Sequence, residues 1–174
     1  KDGAGRVKPY RTSNSKMSYD GPLIVLTNKT SASAAEIVAQ TLQDYGRAFV
    51  VGDENTFGKG TFQLPSIGME NEGRVNDKGE YKVTHGKYYT VSGKSPQLVG
   101  VRADIIVPGF FSELDIGEKF TKYPLENDSI QERFDDDLSD IPSMHRKHVG
   151  LLYKHNMQQK LTLLRYQILE KSTI

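Results

Sequence analysis

The sequence predicts an α/β fold, and three observations carry that reading. Residues 23–26 and 48–51 are continuous apolar runs of strand length, Leu-Ile-Val-Leu and Ala-Phe-Val-Val. Between them lies a segment whose apolar residues recur at helical spacing. Strand, helix and strand within about 30 residues make one crossover unit of a parallel sheet.

The elements follow in order. Residues 1–20 are rich in Gly, Ser, Asn and Lys and read as a loop or an edge strand. Residues 21–27 open on the turn signal Gly21-Pro22 and run apolar without alternation, the pattern of a strand buried on both faces. Ala34, Ile37, Val38, Thr41, Leu42 and Tyr45 then fall on one side of a helix, its expected buried face, and Gly46 supplies the stop. Residues 48–52 form a second buried strand. Residues 53–60 are a glycine-containing loop, and residues 61–64 a strand that Pro65 ends. Residues 66–78 are polar and read as an exposed loop. Residues 81–84 and 87–91 suggest a hairpin around His85-Gly86, and residues 101–107 a last strand closed by Pro108.

Beyond that point the composition shifts. Residues 126–140 hold seven acids and one base; residues 144–174 hold six bases and one acid. Val149, Leu152, Leu161, Leu164, Ile168 and Leu169 keep a helical period in the second stretch. The reading is a basic helical extension on an acidic linker, two solvated faces of opposite charge. Two regions are therefore expected: residues 1–108, part of an α/β core, and residues 109–174, linker and helical extension.

Composition excludes several functions. The 174 residues suffice for one core with a small appendage. With 23 basic and 22 acidic side chains, the net charge of +1 gives no global positive field for nucleic acid or anionic lipid. The absence of cysteine removes disulfides, cysteine zinc sites, iron–sulfur clusters and thiol catalysis. No apolar run approaches the roughly 18 residues of a membrane-spanning helix. The opening Lys1-Asp2-Gly3-Ala4-Gly5-Arg6 has no methionine and no signal-like apolar region, so the chain reads as a fragment of a longer protein.

Two segments are suited to chemistry. The first is Thr30-Ser31-Ala32-Ser33-Ala34-Ala35-Glu36, between the first strand and the helix. Ser33-x-x-Glu36 is a capping box, and capping alone accounts for both residues. The same turn also presents a serine hydroxyl at the positive end of a helix, beside backbone amides able to hold an oxyanion. Ala34 is the natural amide for that role, and the small residues leave room for a substrate backbone. The second segment is Thr56-Phe57-Gly58-Lys59-Gly60-Thr61-Phe62-Gln63. A lysine between glycines is by default an exposed turn residue. Acting as a general base, it must hold a neutral amine, which an apolar wall of Phe57 and Phe62 favours. The flanking glycines let the backbone fold tightly, and Gln63 orients the amine without stabilising its charge as a carboxylate would.

Taken together and in this order, these blocks are specific. Ser-Ala-Ser-Ala-Ala-Glu-Ile, Gln43-Asp44-Tyr45-Gly46-Arg47-Ala48, Val50-Val51-Gly52, the Lys59 block with Gln63, and Gly100-Val101-Arg102-Ala103-Asp104-Ile105-Ile106-Val107-Pro108 resemble the carboxy-terminal processing, or tail-specific, proteases. The likeness covers about residues 21–130 and fades through Gly117-Glu118-Lys119-Phe120 and Asn127-Asp128-Ser129-Ile130. Ala35 stands where the family often has Ser, and residues 52–56 look one residue longer than the family's loop.

The resemblance implies a crotonase-like (ClpP-like) α/β core with an inserted PDZ domain, and a Ser–Lys dyad. Carried over by motif, Ser33 rather than Ser31 is the nucleophile, Lys59 the base and Gln63 its orienter. The helix separates Asp44 from Ser33 by roughly 16 Å at 1.5 Å per residue, so Asp44 reads as structural. The implied activity is serine endopeptidase. The implied partners are proteins with apolar C-terminal tails and the upstream part of the same protein, which would carry the PDZ domain and the first half of the core. The implied location is the bacterial periplasm or cell envelope. No metal or organic cofactor and no nucleic acid is implied, and homo-oligomerisation stays open. A rival reading is a half-domain that is inert, or serves binding and assembly, without its upstream partner.

His145, His148 and His155 lie near one helical face, but no carboxylate completes a HExxH arrangement. His85 offers a third reading, a Ser-His-Asp hydrolase with Ser33. Gly58-Lys59-Gly60-Thr61 fails the P-loop spacing, because Gly60 separates Lys59 from Thr61. Tyr88 and Tyr89 suit hairpin packing or the lining of a substrate groove.

Overall fold

Val50 and Ala39 are fully buried against each other's elements, and the rest of the fold is arranged around them. The structure, a computed structural model, describes residues 1, 3–7, 18–65, 82–139 and 141–142. The expected loop at 66–78, the histidines 145, 148 and 155 and the helical extension lie outside the described residues. In chain order the elements are β1 (Ile24–Thr27), α1 (Ala34–Asp44), β2 (Phe49–Gly52), β3 (Thr61–Pro65), β4 (Lys82–Lys87) and β5 (Ile105–Ile106). A 3-10 turn spans Glu118–Phe120.

β1, β2 and β5 form a parallel sheet in that order, with Ile24 opposite Phe49 and Val51 opposite Ile105. The β1–α1–β2 crossover is thus present as expected. Its helix ends in a Schellman motif. Gly46 takes φ 64°, its N–H donates to Gln43 O (2.9 Å), and Arg47 N–H donates to Leu42 O (2.8 Å). Ala39, Val50, Val101 and Ala103 form the core, joined by Val25 and Ile106.

Four expectations are corrected. β1 is not covered on both faces among the described residues: Ile24 and Leu26 are 62% and 78% exposed while Val25 packs inward. The buried side of α1 is Glu36, Ala39 and Gln40, while Ile37 and Val38 of the apolar stripe face out. Periodicity identifies an apolar stripe but not what covers it, and here a buried carboxylate turns the helix. The hairpin does not fold at His85-Gly86. β3 pairs antiparallel with β4, which runs straight through both residues, and the register slips there so that His85 is an exposed bulge residue. The strand expected over residues 101–107 shrinks to Ile105–Ile106. Asp104 Oδ2 takes the Val50 N–H (3.0 Å), while Val101 is bonded to Thr56 instead.

Residues 109–131 lie back on the core. Gly109 N–H donates to buried Asp53 (2.6 Å), Glu118 N–H to Phe57 O (2.9 Å), Gln97 Nε2 to Leu125 O (2.9 Å) and Ile130 N–H to Gly93 O (2.9 Å). Asp128 accepts from Tyr89 Oη (2.7 Å), Lys87 Nζ (3.0 Å) and Lys1 Nζ (3.2 Å). The Tyr89 bond, helped by the two ammonium groups, lowers its carboxyl from the ordinary 3.8 to about 2. A depressed carboxyl stabilises the fold above its unfolded value, and that contribution is lost as pH falls toward the folded value. Asp128→Asn is therefore expected to lower the melting temperature at pH 6 but to change it little near pH 2. Thermal melts at the two pH values check this, and an equal drop at both would refute it.

Candidate active site

The site begins where β1 hands over to α1. Asn28 and Ser31 close a tight turn: Ser31 N–H donates to Asn28 O (3.0 Å), and Asn28 N–H donates to Ser31 Oγ (3.1 Å). The Ser31 hydroxyl is thus part of the turn. Ser33 follows with φ 58° and ψ −116°, a left-handed conformation that a non-glycine residue adopts only under local constraint. A nucleophilic serine on a strained strand-to-helix turn is a recurring device for lifting a hydroxyl clear of a sheet. Ala34 opens the helix, where the first amides have no intrahelical acceptor.

Glu36 supplies the constraint. It is wholly buried, and its two oxygens receive four donors. Oε2 accepts Ser33 N–H (2.8 Å) and Lys59 N–H (2.8 Å). Oε1 accepts Gly58 N–H (2.7 Å) and the Thr56 hydroxyl. The expected return bond of a capping box is present, but the same carboxylate also gathers the whole lysine loop onto the helix start. Phe57 N–H adds a bond to Ser31 O (3.0 Å). Residues 33 and 59, distant in sequence, are thereby joined through one oxygen atom.

The half-buried Lys59 donates from Nζ to Gln63 Oε1 (2.9 Å). Gln63 Nε2 in turn donates to Thr61 Oγ1 (3.0 Å) and Thr84 Oγ1 (3.2 Å), which orients the amide with its oxygen toward the lysine. Residues 61 and 63 share one face of β3, so Phe62 points to the other, where it packs against Gly86 and is 39% exposed. Phe62 therefore does not wall the amine as expected.

The two glycines also act differently from expectation. Gly58 has φ 90°, and a Cβ there would lie 3.0 Å from the Leu98 carbonyl carbon; one on Gly60 would lie 2.7 Å from Gln97 N. Both make room for the segment 95–100 rather than for the amine. Leu98 N–H donates to Gly58 O (2.8 Å), and fully buried Gln97 accepts Gly60 N–H (2.9 Å).

The described residues thus join the Ser33 and Lys59 backbones through Glu36, and the Lys59 and Gln63 side chains to each other. Asp44 is elsewhere, at the far end of α1. It accepts from Gln40 Nε2 (2.8 Å), Ser92 Oγ (2.7 Å) and the Thr90 hydroxyl, and so ties the helix to the chain after β4. His85 is exposed on β4 with no carboxylate bonded to it among the described residues. Sequence reasoning missed Thr56, Gln97, Thr61 and Thr84, and gave Glu36 only a cap's role. The one available signal was a glutamate amid small and apolar residues on a helix expected to be buried.

Comparison with known proteins assigns the class. Residues 1–107 match the model of peptidase family S41, and the chain belongs to this family of serine-type peptidases. It is 38% identical over 119 residues to the tail-specific protease of Haemophilus influenzae, covering 68% of this chain and 17% of that protein. It is 38% identical over 109 residues to the carboxy-terminal-processing protease of Bartonella bacilliformis, covering 62% and 22%. A carboxyl-terminal-processing peptidase of Arabidopsis thaliana, chloroplastic, is 38% identical over 104 residues, covering 60% and 18%. Among solved structures, a photosystem II D1 C-terminal processing protease is 34% identical with a TM-score of 0.41, covering 49% of this chain and 20% of that one. The chain spans about a fifth of the length of the relatives it matches.

Proposed function

We propose that this chain carries the Ser–Lys half of a serine endopeptidase active site. The observation that supports it is the single Glu36 oxygen holding both the Ser33 and the Lys59 amide. Lys59 Nζ takes the proton of Ser33 Oγ, which attacks the scissile carbonyl. The Ala34 N–H faces the oxyanion of the tetrahedral intermediate. Lys59 returns the proton to the leaving amine, water resolves the acyl-enzyme, and Gln63 keeps the lysine aimed. The reaction uses no metal or organic cofactor.

In this reading residues 1–108 are the second half of a crotonase-like core, and residues 109–174, whose first part packs on that core, are a linker and helical extension. The first half of the core and a PDZ domain lie upstream. Substrates are proteins with apolar C-terminal tails, met in the bacterial periplasm or cell envelope. Without the upstream half the chain is inert.

The test uses the intact protein that carries this chain. It is expected to cleave a substrate with an apolar tail faster than one with a charged tail. Quenching early in turnover is expected to place an acyl mass on the peptide containing Ser33. His85→Ala is expected to keep the wild-type rate; abolition of activity by that change would overturn the lysine reading in favour of a Ser-His-Asp arrangement.

A further inference from the structure

Two side chains bridge Ser33 and Lys59, and they hold opposite ends of each residue's backbone. Glu36 takes the two N–H groups. Tyr88 Oη lies 2.9 Å from the Ser33 carbonyl oxygen and 2.6 Å from the Lys59 carbonyl oxygen. A phenol carries one proton, so the two carbonyls share it.

We propose that Tyr88 is a positioning residue for the dyad: its hydroxyl, opposite Glu36, sets the spacing between the backbones that carry nucleophile and base. The proposal rests on the Ser33–Lys59 reading of the site.

The geometry argues it in three ways. Ser33 is held in a left-handed conformation, which persists only where neighbours over-determine it. Its carbonyl also accepts Glu36 N–H (2.9 Å) and Ile37 N–H (3.1 Å), bonds that fix it to its own helix but not to the lysine loop. Tyr88 makes that second connection. Next, the tyrosine is itself anchored beside the base. Its N–H donates to Gly60 O (2.9 Å), and the preceding Lys87 pairs with Thr61. The reach of the hydroxyl is therefore set by the β3–β4 ribbon. Finally, the donor keeps its proton. Burial foremost, and then the Glu36 carboxylate, push the phenol above its ordinary pKa.

Tyr89 provides an internal control. Its hydroxyl also bonds a partner, Asp128, but away from the dyad. In the intact protein, Tyr88→Phe is expected to lower kcat about 10- to 100-fold with KM within about threefold, as small misplacements of reacting groups do. Tyr89→Phe, which removes the bond to Asp128, is expected to leave kcat unchanged while lowering the melting temperature. Replacing Tyr88 by 4-aminophenylalanine keeps the ring and an N–H donor, and is expected to hold kcat within about threefold of wild type. This arm reads even where Tyr88→Phe fails to fold. A wild-type kcat in Tyr88→Phe beside an inactive Ser33→Ala would overturn the proposal and leave the dyad reading standing. So would a 4-aminophenylalanine variant that is folded and as impaired as Tyr88→Phe. An active Ser33→Ala would remove the dyad reading and this proposal with it.

Discussion

Ser33→Ala and Lys59→Ala are each expected to lower kcat about 10⁴-fold, and the double variant to fall no further than the worse of the two. The reason is that in the proposed dyad both side chains serve one event. Ser33 Oγ is a poor nucleophile until its proton leaves, and the lysine amine is the group proposed to take it. Once either is gone, the other has no partner to act on, so the losses do not add. What remains is binding and any oxyanion stabilisation by backbone amides, which neither change removes. Steady-state rates on an apolar-tailed peptide, with circular dichroism to establish folding, check the result. A folded Lys59→Ala enzyme with a normal rate would sink the dyad. Strictly additive losses would mean that serine and lysine act in separate steps.

The second large effect is expected at Glu36, and it falls on stability as well as rate. Glu36→Ala removes the acceptor of four donors from a site with no exposure to solvent. Amides left buried without an acceptor lose more than the bond was worth, about 1–3 kcal/mol for each unsatisfied donor. A loss of several kcal/mol in unfolding free energy is therefore expected. Glu36→Gln keeps the shape but turns an NH₂ group toward donors that need an acceptor, so it too is expected to destabilise. Because the carboxylate joins the Ser33 turn to the Lys59 loop, folded Glu36→Gln protein is expected to lose kcat as well. Urea unfolding and kcat measured on the same preparations test both effects. Wild-type stability and rate in Glu36→Gln would mean that the carboxylate is merely a cap.

Much of this was legible in the sequence, because it is local. The helix of residues 34–44 and its Gly46 stop follow from spacing and one residue type, and the Schellman bonds occur where that pattern puts them. The β1–α1–β2 crossover follows from two apolar runs and the distance between them. Ser33, Lys59 and Gln63 stand out by motif, and the lysine–glutamine bond needs only the alternation of a short extended segment.

What tertiary structure alone decided is which residues meet across long intervals. The face of α1 that turns inward was set by Glu36 reaching loop residues 20 to 23 positions away, not by the apolar stripe. Gln97 supports Gly60, and Tyr88 spans Ser33 and Lys59, through bonds between segments that share no local period. His85 lies mid-strand because the partner of β4 is β3, a pairing that no turn signal at residues 85–86 announces. Short-range propensity fixes how each segment winds or extends. A single buried carboxylate or hydroxyl is satisfied only by whatever the packed fold brings within about 3 Å, and that choice is made by the whole chain at once.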